Sequence, residues 1–484
     1  PEAPWPSVDT LRAATNAAGF SLAARLPVYP DIVKKANRWI DQALHAHVHA
    51  ASDAQGFARW DDWAPGNAGG AGAAFAATNR SCRPARRRSL ETILAKAERG
   101  ERLDRQAVAL LFEARDDDFV HVVASADALR AQVSGKVVRY VVNRNINYTN
   151  ICKYHCSFCA FSKGKSHDHL RGRAYDLDLD EVSRRASEAW ERGAVEVCMQ
   201  GGIHPRYTGQ TYLDLIATAR RGAPSIHIHA FSPLEVSHGA ATLGMSLRRF
   251  LDMLRDAGLG SLPGTAAEIL DDEARKVLCP DKLSTARWLE VMETAHTAGL
   301  PTTSTIMFGH IDNYLQWADH LLALRDLQER TGGFTEFVPL PFVHMEAPLY
   351  LKGKARRGPT SREAVLMHAV ARLVLHPLIP NIQASWVKLG AEGVSATLAA
   401  GANDLGGTLM NESISRAAGT QFGQELPPEA MDALVSRCDR IPRQRTTLYG
   451  RPAAAQTSRS YGAAALAPVI NNAPKKITRA RELL

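Results

Sequence analysis

No run of about eighteen apolar residues occurs in the chain, so no membrane-spanning helix is expected. Nor does the chain open on a charged stretch followed by an apolar one, so no secretory leader is expected in this stretch; its first residue is Pro1, so the chain reads as a fragment or as one whose true start lies upstream. Cysteine is scarce. Seven in 484 residues do not make a disulfide framework, and a reducing, cytoplasmic compartment is expected. The net charge is only +8, much of it from Arg80, Arg83, Arg86, Arg87 and Arg88 and from the Lys475–Arg481 tail. These runs lack interleaved aromatics and read as solvated segments rather than as a nucleic-acid surface. What is plentiful is apolar residue, 45% of the chain, so a sizeable core can be buried; the length of 484 residues suffices for two or three average domains or one large barrel with additions.

Residues 1–64 read as helical, with Asp9 capping a helix over Thr10–Ala18 and a second helix over Asp31–Val48. Residues 65–88, rich in glycine, alanine and arginine, read as a flexible linker. Helices over Ser89–Arg99 and Arg105–Phe112 make 89–136 a helical lead-in. From Val137 short β-rich runs alternate with amphipathic helical ones. The predicted strands are Val137–Val142, Val195–Met199, Ser225–Ala230, Leu262–Ala266, Thr302–Met307, Thr335–Leu340, Asn381–Ala384 and Gly401–Asn403. Gly193, Gly222, Gly258 and Gly299 stand where four of the intervening helices should stop. The pattern predicts an α/β fold, a (β/α)₈ barrel of the TIM type, full or partial, over 137–425. Residues 426–484 read as a C-terminal extension with a partly disordered tail. In such barrels the active site lies at the C-terminal ends of the strands.

The chemistry concentrates after the first strand. Cys152, Cys156 and Cys159 are spaced by three residues and then two, with Phe158 just before the last. Three thiolates on one loop can hold three irons of a [4Fe–4S] cluster, and a missing fourth ligand leaves one iron open to a substrate. A Cys₃His zinc site using His155 is the competing reading; His155 is wedged against Cys156, an awkward start for a tetrahedral cage. Cys82, Cys198, Cys279 and Cys438 have no partner spacing and read as buried or incidental thiols. His45 and His49 share a helix face without an obvious third ligand, so they read as an exposed face. After the second strand, Gly201 and Gly202 let the backbone approach a ligand, or simply make a turn. Ser232 faces a substrate or caps the turn before Pro233. Glu268 binds a ligand at the fourth strand's edge, or makes a surface salt bridge or starts a helix. His310, His344, Trp386, Lys388, Asn403 and Asp404 also fall at strand ends, and some of them should line the pocket.

The cysteine loop with its aromatic resembles that of the radical S-adenosylmethionine (radical SAM) enzymes. The resemblance implies a [4Fe–4S] cluster on Cys152, Cys156 and Cys159, and SAM bound by Phe158, Gln200, Gly201, Gly202 and Glu268. Many relatives carry an acidic residue where Ile203 stands. Ser232, His310, Asn403 and Asp404 are then the substrate candidates. Asn143–Gly164, Leu170–Tyr175, Ala230–Glu235, Ser304–His310 and Gly401–Thr408 are similar to the CofH-type, tyrosine-using half of FO synthases, over residues 90–450. Residues 1–65, notably Ala18–Phe20 and Arg25–Pro30, resemble the tail of the CofG-type half. The likeness implies the C-terminal half of a fused enzyme, a CofG-type partner fused or separate, and a reducing electron donor. It also implies a reaction. A 5′-deoxyadenosyl radical from SAM abstracts hydrogen from L-tyrosine, and the Cα–Cβ bond cleaves to 2-iminoacetate and a 4-hydroxybenzyl radical. That radical adds to carbon 5 of 5-amino-6-(D-ribitylamino)uracil. The alternatives are a sister radical SAM enzyme of menaquinone synthesis, of the aminofutalosine synthase or cyclase type, and a non-catalytic zinc-stabilised barrel.

Overall fold

A computed structural model describes residues 5–76, 88–162 and 173–473. Its centre is a closed ring of eight parallel staves in chain order. The first stave is long, β1 (Val137–Val141) running into β2 (Asn143–Ile146). β3 (Glu196–Met199), β4 (His227–Ala230), β5 (Thr302–Phe308), β6 (Phe334–Pro341) and β7 (Asp404–Gly407) supply five more. The other two staves are reduced to bridges: Ser261 and Leu262 link His229 to Thr302, and Ile382 and Gln383 link Phe337 to Asp404. β7 pairs with β1 and closes the ring. The barrel is therefore complete, with its fourth and seventh strands shorter than the sequence suggests and its eighth moved from Gly401–Asn403 to Asp404–Gly407.

Local sequence explains the helical layer. The helix Leu247–Ala257 buries Leu247, Phe250, Leu251 and Leu254, one face at spacings of three and four. Ser246 caps it by accepting the Arg249 N–H at 3.3 Å, and Gly258 ends it at φ 108°. The helix Ser361–Leu375 is buried along its whole length. It lies between β6 and the lead-in helices Arg105–Glu113 and Asp116–Ser134, so it is apolar on more than one face.

The helix expected over Asp31–Val48 is broken into Pro30–Lys34, Ala36–Trp39 and His45–Ala50. Lys35 and Ile40 leave helical geometry, and Asp41 spends its carboxylate on the Ala43 N–H at 2.8 Å, starting a new turn. The start of the expected linker is packed. Ala64, Pro65 and Gly66 are buried; the Gly66 N–H donates to the Lys388 carbonyl at 2.7 Å and the Gln421 N–H to the Gly66 carbonyl at 2.8 Å. Arg80, Cys82, Arg83, Arg86 and Arg87 lie outside the described residues, as do Lys163–Gly172 and the end of the chain from 474.

Beyond the expected barrel, β8 (Ile441–Arg445) pairs in parallel with β1 on the edge that β7 does not use. Residues 467–472 then run back along the helix Leu179–Glu191, where Arg185 donates to the Ile470 carbonyl at 3.0 Å and the Ala467 N–H to Glu188 at 2.6 Å.

Buried imidazoles tie this fold to pH. In His320 the Nδ1 accepts the Leu270 N–H and the Nε2–H donates to the Thr305 carbonyl, both at 3.0 Å, so the ring is held neutral. Burial pushes its pKa from 6.5 down to about 3, and pushes those of His229 and His368 to about 4. Between those values and 6.5 the unfolded chain binds protons that the folded chain refuses. The stability these groups contribute is full above 6.5 and is lost as pH falls toward 4. Urea unfolding midpoints should therefore drop from pH 7.5 to pH 5, with a smaller drop in His320→Gln; equal midpoints at the two pH values would refute the assignment.

Candidate active site

The cysteine loop leaves the end of β2 and is held by its backbone from several sides. The Gly202 N–H donates to the Thr149 carbonyl at 2.9 Å, the Lys153 N–H to the Ile203 carbonyl at 2.9 Å, and the Ser157 N–H to the Leu278 carbonyl at 2.8 Å. Asn150 closes the far side: its Oδ1 accepts the Tyr175 N–H at 2.8 Å and its amide donates to the Arg173 carbonyl at 3.1 Å. So anchored, Cys152, Cys156 and Cys159 line one cavity of about 280 Å³ at the C-terminal rim of the barrel. Two of the sulfurs accept backbone N–H groups, Cys152 from Ile203 at 3.3 Å and Cys159 from Ser162 at 3.4 Å. Burial pushes the Cys156 thiol up to about 12 and raises that of Cys159, so these sulfurs hold a negative charge best against a bound metal.

The rest of the wall comes from the next strand ends. Phe158, Gln200, Gly201, Gly202, Ser232 and Glu268 all face the same cavity. A Cβ on Gly202 would sit 2.2 Å from the Ile151 carbonyl oxygen, and one on Gly201 2.3 Å from the Tyr148 ring, so the turn packs against the loop only as glycine. Glu268 stands at φ 48° and pairs with Lys282 at 2.6 Å; the Lys282 ammonium also lies 5.2 Å from the centre of the Phe158 ring. Ser232 caps the helix Pro233–Thr242 and gives its hydroxyl to Glu235. Glu235 also accepts from the Gly201 N–H at 3.1 Å, the Ser232 N–H at 2.6 Å and the Tyr148 hydroxyl. Burial raises its pKa, and the four donors oppose that rise.

Three of the expected substrate residues are elsewhere. His310 turns away from the cavity, donating to the Met307 carbonyl at 3.0 Å and accepting the Ile311 N–H at 2.7 Å. It borders a larger cavity of about 960 Å³ between residues 33–56 and the lead-in, which none of the described cysteines lines. Asn403 accepts from Arg372 at 2.8 Å and from the Ile382 N–H at 2.9 Å. Asp404 pairs with Arg445 at 2.6 Å inside the barrel. His344 meets Tyr350 edge to face, and Trp386 donates to the Gly407 carbonyl at 2.9 Å. Lys388 alone of the other strand-end candidates lines the site. Glu235 and Lys282 were not singled out from the sequence. The Ser-x-x-Glu pattern of Ser232 and Glu235 carried a capping-box signal; Lys282 carried none.

The zinc reading finds little support. The His155 side chain is 82% exposed and lies 3.9 Å from Asp281, away from the cavity wall. Among the described residues, no three His, Cys, Asp or Glu side chains form a group suited to a single ion.

A closed parallel barrel with three thiols on the loop after its first stave matches one class of protein. Residues 146–324 fit the radical SAM superfamily, and residues 331–457 fit the CofH/MqnC C-terminal region. The fold is shared with methylornithine synthase (PylB), at a TM-score of 0.55 and 18% identity over 76% of this chain and 98% of that one. It is shared also with the FeFe-hydrogenase maturase HydG from Carboxydothermus hydrogenoformans, at 0.56 and 16% over 74% and 80%. The chain belongs to the radical SAM superfamily. It is 49% identical over 327 residues to the 5-amino-6-(D-ribitylamino)uracil–L-tyrosine 4-hydroxyphenyl transferase of Methanocaldococcus jannaschii, covering 67% of this chain and 90% of that protein. Within the superfamily it therefore belongs to the family of that transferase, the CofH type. FO synthase of Streptomyces coelicolor is 45% identical over 490 residues, 93% of this chain and 56% of that protein. The chain spans a little over half the length of the FO synthases it matches.

Proposed function

We propose that Cys152, Cys156 and Cys159 hold three irons of a [4Fe–4S] cluster, and that SAM binds the fourth along the wall made by Phe158, Gln200–Gly202 and Glu268. The chain then transfers the 4-hydroxybenzyl group of L-tyrosine to carbon 5 of 5-amino-6-(D-ribitylamino)uracil. What carries this reading is the meeting of three cysteines, a two-glycine turn and Glu268 on one cavity, in a chain 49% identical to a transferase so named. When bound, the cluster and SAM supply a 5′-deoxyadenosyl radical. The chain's residues position the reactants. Glu268, fixed by Lys282, offers oxygens to ribose hydroxyls; Phe158 offers an apolar face. Leu340, Phe342, Val343 and Ile414 supply apolar wall that limits water around a reactive carbon radical.

FO synthases align with 93% of the chain, against 67% for the single transferase. This supports residues 1–64 as the tail of a CofG-type half, whose cyclising step falls to a fused or separate partner. A reducing cytoplasm would supply the electron; among the described residues no helix is long and apolar enough to cross a membrane. The C-terminal family model spans CofH and MqnC alike, which keeps a menaquinone-pathway enzyme as the second reading. Anaerobic incubation of reduced, reconstituted protein with SAM, L-tyrosine and the diaminouracil should yield 5′-deoxyadenosine and a tyrosine-dependent adduct by mass. Absence of the adduct shifts support to the second reading; zinc without iron in anaerobically purified protein sinks both.

Gly202→Ala tests the cradle separately. The new methyl must displace the Ile151 carbonyl and with it Cys152. Cluster content after reconstitution should fall with an affinity loss of about 10- to 100-fold, the range seen when support for metal ligands is lost. Full iron content in the variant would mean that the turn and the loop are not coupled.

A further inference from the structure

Among the described residues, two cationic side chains line the cavity, Lys282 and Lys388. Lys282 is committed to Glu268 at 2.6 Å. Lys388 makes no ion pair among the described residues; its ammonium donates to the Ser415 hydroxyl at 2.8 Å, leaving further N–H donors for a ligand. Glu412 is the carboxylate whose charge reaches it, yet the Glu412 oxygens are taken by the N–H groups of Ile414 at 3.0 Å and Ser415 at 2.7 Å. Burial holds the lysine below its ordinary pKa, against the pull of Glu412. The side chain is also well placed. Its backbone carbonyl accepts the Gly66 N–H at 2.7 Å, and its N–H donates to the Ser385 carbonyl at 3.1 Å. An under-compensated ammonium on a largely apolar wall is costly unless a ligand supplies the counter-charge.

Resting on the function proposed above, we infer that Lys388, with Ser415 beside it, binds the carboxylate of the amino-acid substrate. Of the two co-substrates, the amino acid brings a carboxylate and the ribitylaminouracil does not. Cleavage at Cα–Cβ also leaves that carboxylate on the two-carbon fragment, so a grip there holds one side of the breaking bond in place. SAM carries a carboxylate too, and the experiment separates the two sources.

The test uses the full chain, reconstituted with iron and sulfide, loaded with SAM and left unreduced. Binding of L-tyrosine and of tyramine, its analogue without the carboxylate, is measured for the parent chain, Lys388→Met and Lys388→Arg. Lys388→Met should weaken tyrosine by about 30-fold or more, as expected when one partner of a buried charge pair is removed. Tyramine and SAM affinity should be unchanged, and Lys388→Arg should recover much of the loss. Equal losses for tyrosine and tyramine, no loss, or a loss confined to SAM would overturn the assignment. If Lys388→Met does not fold, Ser415→Ala carries the same comparison with a smaller tyrosine-specific loss. Failure of the parent chain to bind tyrosine at all would instead remove the functional reading, and the lysine's role with it.

Discussion

Cys156→Ala is expected to reduce 5′-deoxyadenosine formation to the protein-free background while leaving the barrel folded. The backbone around Cys156 does not depend on its sulfur: its carbonyl accepts the Cys159 N–H at 3.1 Å, and the next N–H donates to the Leu278 carbonyl. Alanine keeps those bonds and the Cβ, so the metal-free chain should lose no more than about 1 kcal/mol of stability. Removing one of three thiolates takes away a third of the protein ligands of the proposed cluster. Iron per chain after reconstitution should collapse along with activity. Cys198→Ala is the matched control. Cys198 is also free, and its sulfur accepts from the Gln200 amide at 3.4 Å; its loss should leave iron content near that of the parent. A Cys156→Ala protein that still binds iron and cleaves SAM would end the open-iron reading. So would a Cys198→Ala protein as poor in iron as Cys156→Ala.

The cysteine loop was legible because its information is local: three thiols, one aromatic and a preceding strand in one short run. The glycine turn and Glu268 were legible through position, at the ends of recognisable strands. The same rule misled for Asn403 and Asp404. With the eighth strand read as Gly401–Asn403, they fall at its C-terminal end; the real stave begins at Asp404, which puts both at its N-terminal end. A shift of three residues thus carried them from the rim into the barrel, where Asp404 and Glu336 offset the charge of Arg445. β8 itself escaped notice because Ile-Pro-Arg-Gln-Arg shows no apolar alternation. Its buried arginine is neutralised by carboxylates 41 and 109 residues away in sequence, a pairing that no local window contains. His310 lies where expected, just past β5, but its buried ring is bound to the Met307 carbonyl and borders the larger cavity instead. There the His310 and Gly309 N–H groups donate to Asp312, whose carboxylate Arg356 holds at 2.7 Å.

Trp63→Ala should be among the most destabilising single changes in the chain, although it lies in the segment that resembles another protein half. Trp63 is 0% exposed and meets Phe75 edge to face at 5.0 Å. Loss of a buried tryptophan costs about 3–5 kcal/mol, set by how far the site can collapse. Collapse is restricted here because polar bonds to the barrel pin both flanks. Asp61 accepts the N–H and hydroxyl of Ser361, each at 3.0 Å, and Arg59 donates to the carbonyls of Gly358 at 2.7 Å and Pro359 at 3.0 Å. The Ala54 N–H donates to Glu363 at 2.8 Å, and Gly66 reaches Lys388. Removing residues up to 66 would therefore strip partners from Ser361, Glu363 and the loop near 358, leaving polar groups of the barrel's own helix unsatisfied. A chain beginning after residue 66 should unfold at a markedly lower urea midpoint than the full chain, and Trp63→Ala should fall between them. Equal midpoints for the short and full chains would mean that the segment merely rests on the barrel. A large drop would instead make residues 52–66 a working part of the barrel's fold, reaching through Gly66 to the helix that carries Lys388.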